Sequence, residues 1–348
     1  MKFDKVVIFG GSGFIGSHMA RSLLDHGYCT QIVLADIVEP DLKRFGYFLT
    51  DYIENGKVVY ISCDVRELSS FDVLPASGVQ LVINLAAIHR EPGHEPHEYF
   101  ETNIPGAENV CAWAEKVGCN RILFTSSIAP YGPCETPKSE ASIPCPETAY
   151  GSSKLAAEKI HLAWQRTDSA NRRLVIVRPG VVFGPGEGGN VTRLVRAVLG
   201  RYFFYMGNRQ TIKAGIYVKE LCLSLLWMLD QVEDTKSDGW ILYNASMRPA
   251  PSVEGYVTTI CKVAGVKRSV LSVPYSLLYG VAWVLEIIAR PLGIKHPFSP
   301  VRIRKLVRSN NIQADVLRDL GYEYQYTLET AMADWKKDIP HDWKVKGD

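Results

Sequence analysis

Tyr150 and Lys154 have the residue types and the spacing that proton transfer requires. They lie four residues apart in AYGSSKLAAEKI (149–160), so a helix would place both side chains on one face, about a turn apart. A phenol of pKa about 10 is a poor base at neutral pH, but a nearby ammonium group favours the phenolate. The pair predicts an acid/base tyrosine; the alternative is a solvated lysine beside a surface tyrosine.

Two serines, Ser126 and Ser127, end the apolar run RILFT and precede Ile128 and Ala129. A hydroxyl at the end of a buried strand can hold a substrate oxygen, or it can only help the chain to turn. Neither Ile128 nor Ala129 can transfer a proton. A reaction at this place must therefore proceed without an acid or a base at these two positions.

A glycine-rich loop, GGSGFIG (10–16), follows the first strand-like run and opens a helix-like stretch. Gly10, Gly13 and Gly16 allow a tight turn and a close approach to a pyrophosphate, which the amides of the helix N-terminus then hold. Asp36 ends the next strand about 20 residues later, where a carboxylate can accept the adenosine-ribose hydroxyls and repel a 2′-phosphate. The loop predicts NAD rather than NADP; the alternative is a plain glycine-rich turn.

The elements that must position these residues alternate between strand-like and helix-like runs in the first half of the chain. This alternation predicts βαβ units and hence an α/β fold with a doubly wound parallel sheet. After residue 180 the pattern is mostly helical, which predicts a smaller second region over 181–348, with a return to the first region, 1–180, around 211–245. The strand-like runs are 6–10, 31–36, 58–64, 81–87, 121–127 and 174–180.

The composition of the 348 residues is that of an ordinary globular protein, with 47% hydrophobic and 22% charged residues. A formal net charge of +2 gives no reason to expect nucleic acid as a partner. The eight cysteines lack CxxC spacing, which favours free thiols in a reducing compartment. Because the first residues show no signal-peptide pattern, we expect a cytoplasmic protein.

Taken together and in order, these motifs resemble those of the extended short-chain dehydrogenase/reductases, the NAD-dependent epimerase/dehydratase family. The resemblance implies a Rossmann domain over 1–180 and a smaller substrate-binding region after it. Homodimers are common in the family, through helices equivalent to 103–117 and 150–165. The motifs that carry the resemblance are GGSGFIG (10–16), Asp36, Asp64 with Val65, NLAA (84–87), TSS (125–127), YGSSK (150–154) and RPGVVFGPG (178–186).

The same resemblance implies a role for individual side chains. Tyr150 would be the acid/base, Lys154 would contact the nicotinamide ribose, and Ser127 would be the third catalytic hydroxyl. The residues implied to contact NAD or to support its site are Gly10, Gly13, Phe14, Ile15, Gly16, Asp36, Asp64, Val65, Ala86, Ala87, Asn103, Tyr150 and Lys154.

Members of the family differ in reaction according to the residues after the catalytic serine. The 4,6-dehydratases carry Asp-Glu there, the sugar-nucleotide decarboxylases carry a Glu at the second position, and the 3,5-epimerases use a Cys. Ile128 and Ala129 replace these groups, so the resemblance argues against those three reactions. Hydride transfer at a carbinol or ketone remains, and a 4-epimerase shares all these residues with a ketoreductase or dehydrogenase.

The residues expected to bind the substrate differ from those of the family members that act on nucleotide sugars. Val181 stands where many carry an Asn that contacts the diphosphate, and Lys213 stands in place of an Arg, which keeps the charge but loses the bidentate fork. The loop from His89 could hold a metal in principle, but the family reaction needs none and we predict none. The candidate substrate contacts, whose alternative is an ordinary solvated or turn role, are Ser127, His89, Glu91, Asn190, Arg193, Arg209 and Lys213.

A second resemblance, to the 3β-hydroxysteroid and sterol dehydrogenases, rests on RPGVVFGPG and on the C-terminal stretch 273–294. Between residues 275 and 288 this stretch is apolar almost all round, whereas a surface helix should show one apolar stripe. It is too short for a membrane span. A buried helix or dimer contact, or peripheral contact with a membrane, remain as interpretations.

Three functional hypotheses follow. The first is an NAD-dependent sugar-nucleotide 4-epimerase or ketoreductase of polysaccharide biosynthesis, with a nucleotide sugar as substrate. The second is a sterol-like or lipid-linked alcohol dehydrogenase, favoured by Val181 and the apolar segment. The third is a catalytically idle NAD-binding regulatory protein, against which the intact Ser127, Tyr150 and Lys154 set argues.

Overall fold

The computed structural model describes residues 1–90, 93–234, 238–280, 283 and 308–344. Its main feature is a seven-stranded sheet whose neighbouring strands all run parallel. The predicted α/β class with a doubly wound parallel sheet is therefore confirmed. The strands of this sheet are β1 Phe3–Phe9, β2 Cys29–Asp36, β3 Val58–Ser62, β4 Leu81–Asn84, β5 Arg121–Thr125, β7 Arg173–Pro179 and β11 Trp240–Ala245.

The strand order is β11-β7-β5-β4-β1-β2-β3, so the chain reverses its direction of winding between β1 and β4. In an open parallel sheet, ligands bind in the crevice beyond the carboxyl ends of the strands at such a switch point. The loop after β1 is the glycine-rich loop, and the loop after β4 contains Ala86 and Ala87. The topology thus brings these two predicted cofactor segments to one edge.

Helices cover both faces of the sheet, since the strands are apolar on both sides and must be shielded from water. One face buries Ile8, Leu34 and Leu123, and the other buries Val7, Val33 and Phe124. The helices are α1 Phe14–Asp25, α2 Leu42–Glu54, α3 Pro96–Lys116, α4 Ala149–Thr167, α5 Asn190–Leu199, α6 Val218–Asp234 and α7 Val253–Ala264, followed by Asp315–Asp319 and Leu328–Asp338.

Three pairs of short parallel strands lie outside the main sheet, among the residues that the structure describes. Many of the residues after 180 pack around a third cluster that includes Phe183, Tyr256 and Trp335, whereas β11 lies in the main sheet beside β7. The proposed boundary at 180 stays a prediction. The short pairs are β8 Val181–Phe183 with β10 Gly215–Tyr217, β9 Tyr205–Met206 with β12 Ser272–Val273, and β6 Cys134–Lys138 with β13 Asn310–Ile312.

The predicted apolar segment 275–288 is described only in part. Residues 275–280 form a helical segment after β12, and Trp283 is helical as well; the other residues of the segment lie outside the described part of the chain. Over the described ranges, every helix is too short or too polar to cross a lipid bilayer.

Candidate active site

The glycine loop packs so closely on its surroundings that side chains are excluded at Gly10, Gly11 and Gly16. Gly10 has a φ of +69°, and a Cβ there would lie 2.8 Å from the backbone nitrogen of Ala86. A Cβ on Gly16 would lie 2.5 Å from the carbonyl oxygen of Gly11. At Gly13 the nearest atom to a Cβ would be 3.3 Å away, so the open side of the loop is at this residue.

Gly13 is the N-cap of α1, and among the described residues no side chain caps this helix. The first N–H groups of a helix have no partner within it, and together with the helix dipole they favour an anion at this end. Phe14 and Ile15, which open α1, are half-buried. The predicted pyrophosphate contacts therefore lie where a helix N-terminus is free to receive one.

Asp36 closes the loop from the next strand. Its Oδ2 accepts a hydrogen bond of 3.0 Å from the backbone N–H of Ser12. Burial raises the pKa of Asp36, and backbone N–H groups of Ser12, Val38 and Ile37 oppose that rise. The Ser12 hydroxyl, from a residue only 4% exposed, has no partner within the described structure.

Asp64 and Val65, which are predicted to border the adenine, each form hydrogen bonds with a neighbouring side chain. The carboxylate of Asp64 accepts a bidentate bond from Arg66, at 2.6 Å in its shortest contact, and the guanidinium lowers the pKa of this carboxyl. Asn109 donates from Nδ2 to the carbonyl of Val65 at 2.9 Å. Near the switch point, the backbone N–H of Ala86 bonds Asn84 Oδ1 at 3.2 Å.

Tyr150 and Lys154 lie in the first turns of α4, which Thr148 caps by accepting from the N–H of Gly151. Lys154 is fully buried; its Nζ donates to the carbonyl oxygen of Thr125 at 2.6 Å and lies 4.4 Å from the ring centre of Phe124. Burial lowers the pKa of Lys154 to about 7, against the charge of Glu158, which raises it. The amino group is thus anchored about one helical turn from Tyr150, and its pKa lies close to neutral pH.

A buried ion pair supports this lysine from one turn further along α4. The carboxylate of Glu158 accepts from Arg178 Nε at 2.8 Å and Nη2 at 2.6 Å, and also from the hydroxyl of Ser126. Both charged side chains are only 3% exposed. Burial by itself would lower the pKa of Arg178, but the hydrogen bond and charge of Glu158 outweigh it and raise that pKa. The pair ties α4 to the end of β5 and to β7.

Asn103 connects α4 to the loop after β4. Its side chain donates to Ser153 Oγ at 2.9 Å and accepts from the N–H of Ile88 at 2.9 Å. Ser153 in turn donates to the carbonyl of Tyr150 at 2.9 Å. The ring of Tyr99, also on α3, lies 6.0 Å from that of Tyr150. These contacts hold the first turn of α4, and with it Tyr150, in a fixed position.

Ser127 is half-buried after β5, and its Oγ accepts a 3.1 Å bond from the N–H of Ala129. Ile128 bonds through its N–H to the carbonyl of Pro179. The side chains at 128 and 129 are an aliphatic group and a methyl. The chain therefore supplies no ionisable group at these two positions.

These features fit NAD. The uncapped N-terminus of α1 and the unpartnered Ser12 hydroxyl suit a pyrophosphate or ribose, and the Asp36 carboxylate lies beside them. Lys154, on α4, bonds the carbonyl of Thr125 at the end of β5, on the other side of the switch point, where the nicotinamide ribose would be held.

The predicted substrate contacts are distributed differently. His89 is exposed but bonds the backbone of Ala87, and partial desolvation of its ring lowers its pKa; Glu91 lies outside the described residues. Asn190 and Arg193 are exposed at the start of α5 and bond each other at 2.6 Å. The anion position of that helix is filled by Glu187, which accepts from the N–H of Thr192 at 2.9 Å.

Lys213 and Arg209, the two cations predicted to bind a diphosphate, also have partners within the protein. Lys213 donates to the carbonyl of Arg308 at 2.5 Å, and burial lowers its pKa. Arg209 is exposed and forms an ion pair of 3.3 Å with Glu254. Their role in substrate binding stays a prediction, and any anion must compete with these contacts.

Sequence reasoning missed several residues that build the site. Ser12 stands inside the predicted loop, and Glu158 follows Lys154 by four residues, so both signals were present. Arg178 is a charge within an apolar strand, which demands a partner. Over the described ranges, no group of three or more His, Cys, Asp or Glu residues is placed to hold a metal ion.

The pattern of the NAD dependent epimerase/dehydratase family matches residues 6–244. The chain belongs to this family. The predicted resemblance and the predicted NAD cofactor are both confirmed. The match covers well over half of the 348 residues and includes the glycine loop, Asp36, Tyr150, Lys154 and all of β11 except its last residue.

Two curated relatives are similar over nearly their whole length. An N-acetyl-α-D-glucosaminyl-diphospho-ditrans,octacis-undecaprenol 4-epimerase from Escherichia coli O157:H7 is 28% identical, over 94% of this chain and 93% of the relative. A decarboxylating sterol-4-alpha-carboxylate 3-dehydrogenase from Candida albicans is 24% identical, over 95% and 97%. Both branches that the sequence resembles are thus represented.

Solved structures of similar fold include the UDP-Glc/GlcNAc 4-epimerase from Campylobacter jejuni. It has a TM-score of 0.72 and 19% identity, covering 97% of this chain and all of that one. At this identity the likeness establishes the shared fold.

Proposed function

We propose that this protein is an NAD-dependent 4-epimerase acting on a sugar that is carried on a diphosphate. The proposal rests on the Tyr150 and Lys154 pair, with Lys154 buried against the Thr125 carbonyl, beside two side chains, at 128 and 129, that cannot transfer protons. NAD, when bound, would accept a hydride from the sugar carbon and return it. The chain itself has to hold the sugar and move one proton.

The proton step is assigned to Tyr150. Its phenolate, favoured by the Lys154 ammonium group, takes the proton of the sugar hydroxyl and later returns it to the ketone oxygen. Ser127 donates a hydrogen bond to the same oxygen. The Glu158 and Arg178 pair, which also bonds Ser126, holds the end of β5 against α4 and so helps to position Ser127 and Lys154.

The carrier of the sugar is a nucleotide diphosphate or a polyprenyl diphosphate. The 4-epimerase relative from Escherichia coli acts, by its name, on a diphospho-undecaprenol sugar, and the structure neighbours include enzymes named for UDP sugars. Both carriers present the same diphosphate, for which Lys213 and Arg209 are the proposed ligands.

A ketoreductase or alcohol dehydrogenase is the second candidate, favoured by the sterol dehydrogenase relative and by Val181. The argument against decarboxylation rests only on the missing carboxylate at 128–129, since this relative decarboxylates according to its name. We extend the proposal to a homodimer through α3 and α4, as the family resemblance implies, and to a cytoplasmic location, where its eight free cysteines stay reduced.

The test is a sugar deuterated at C4, supplied on UDP and on a polyprenyl diphosphate. In a 4-epimerase the product isomer keeps the deuterium at C4 and no reduced cofactor accumulates. Deuterium found in free NADH, with a keto product, would overturn epimerisation in favour of a dehydrogenase. A parallel thermal-shift series with both carriers identifies which one the native protein binds.

A further inference from the structure

Five large apolar or aromatic side chains, which we call the 202/271–283 surface, are exposed on two segments of the C-terminal half. Monomeric proteins rarely expose contiguous apolar patches beyond a few hundred Å², and larger ones mark interaction sites. The exposed fractions are 66% for Tyr202, 77% for Leu271, 37% for Tyr275, 59% for Leu277 and 57% for Trp283.

The β9 and β12 pair brings the two parts of this surface together. These strands run parallel, with Tyr205 opposite Ser272 and the N–H of Tyr205 bonded to the carbonyl of Leu271 at 2.8 Å. Tyr202 precedes β9 and Leu271 precedes β12, so both lie at the same end of the pair. The helical segment 275–280 continues directly from β12.

The charged residues within the two segments that form this surface are all basic, although the carboxylate of Glu254, on α7, acts on Tyr205. Arg201 and Lys267 are exposed beside it. The sequence contains no Asp or Glu in 197–207 or in 265–283. Because a two-fold interface places the same residues of both copies near each other, a dimer through this surface would bring like charges together.

A membrane surface has the complementary chemistry. Tyr and Trp are enriched at the membrane interface because one end of the ring is apolar and the other is polar. Anionic lipid attracts basic residues near its surface. We infer that the 202/271–283 surface docks on an anionic membrane, with Leu271, Leu277 and Trp283 in the interface and Arg201 and Lys267 at the headgroups.

This inference adds a consequence that rests on the proposed function. A sugar on a polyprenyl diphosphate never leaves the bilayer, so an enzyme that acts on it has to work at the membrane surface. Docking would favour the lipid carrier over the nucleotide. The docking itself does not depend on which substrate is used.

The experiment is flotation of the purified full-length protein with vesicles of phosphatidylcholine, alone or mixed with phosphatidylglycerol. We expect binding to the anionic vesicles that weakens with salt. Combined Leu277→Glu and Trp283→Glu should weaken it at least about tenfold, and Lys267→Ala about fivefold. Leu68→Glu with Val73→Glu, at residues each 62% exposed elsewhere on the surface, is the matched control and should bind like the natural sequence.

Two results would overturn the docking. The natural protein would stay with the soluble fraction in both vesicle types, or the 277/283 variant would float as well as the control. If instead that variant turns a dimer into a monomer in light scattering while no form floats, the surface is a contact between copies. Thermal melting checks that each variant is folded, and turnover of the sugar supplied on UDP and on a polyprenyl diphosphate tests the proposed function separately.

Discussion

Charged side chains are buried in one region of the molecule and exposed in another: the first lies around β5 and α4, and the second contains the cations predicted to bind the substrate. In the first, Glu158 and Arg178 are 3% exposed and bonded to each other. In the second, Arg193 and Arg209 are exposed and paired with neighbouring surface groups. From this difference we expect the groups around Tyr150 and Lys154 to be in position before a ligand binds. Arg193 and Arg209, in contrast, would have to give up their present partners in order to bind a substrate.

The largest expected effect comes from a substitution at Tyr150, the proposed proton carrier. Tyr150→Phe removes the proton carrier, so turnover should fall about 10²–10⁴-fold, while NAD binding, measured by protein fluorescence, stays nearly the same. Tyr52→Phe, which removes a hydroxyl bonded to Asp25, is the control and should remain active. Full turnover by the Tyr150 variant would refute the proposed mechanism.

The next prediction concerns the buried pair. Glu158→Gln leaves the Arg178 guanidinium buried without its counter-charge, and we expect the free energy of unfolding to fall by about 3–5 kcal/mol. Urea unfolding measures this change. Glu329→Gln breaks the exposed pair with Lys262 and should cost less than about 1 kcal/mol. Equal costs for the two variants would remove the contrast between buried and exposed charge.

The third prediction is a pH dependence of stability in the NAD-free protein. Burial lowers the pKa of Lys154 to about 7 in the folded state, from 10.5, so between these values the unfolded chain binds more protons. The free energy of unfolding should therefore rise with pH in this window, by up to about 1.4 kcal/mol per pH unit. Lys154→Met should lose this part of the rise; identical pH profiles for both proteins would contradict the burial of a titrating lysine.

The smallest effect distinguishes the substrate cations. Lys213→Met loses a bond to the Arg308 carbonyl and should lower the free energy of unfolding by about 1.5 kcal/mol, whereas Arg209→Met should change it by less than about 1 kcal/mol. If both are diphosphate ligands, KM also rises in both variants with little change in kcat. An unchanged KM in both would leave them a structural role alone.

The sequence predicted the fold class, the glycine-rich loop between strand and helix, and the common helix of Tyr150 and Lys154, because each depends on local order. A strand, three glycines, a helix and Asp36 follow one another within 36 residues, and Tyr150 and Lys154 share one helix. Such patterns keep their meaning in any chain that forms these elements. The sequence alone also showed that Ile128 and Ala129 replace the acid or base groups that other family members carry at these positions.

Only the tertiary structure decided which polar groups already have partners. Arg178 pairs with Glu158 across 20 positions and Lys213 bonds Arg308 across 95, while Glu187 fills the N-terminus of α5. A buried charge requires a partner, but sequence spacing does not say which distant residue the fold brings within 3 Å. For this reason the sequence could predict motifs of local order, such as the glycine loop and the helix that carries Tyr150 and Lys154, but not the internal partners of Lys213 and Arg178.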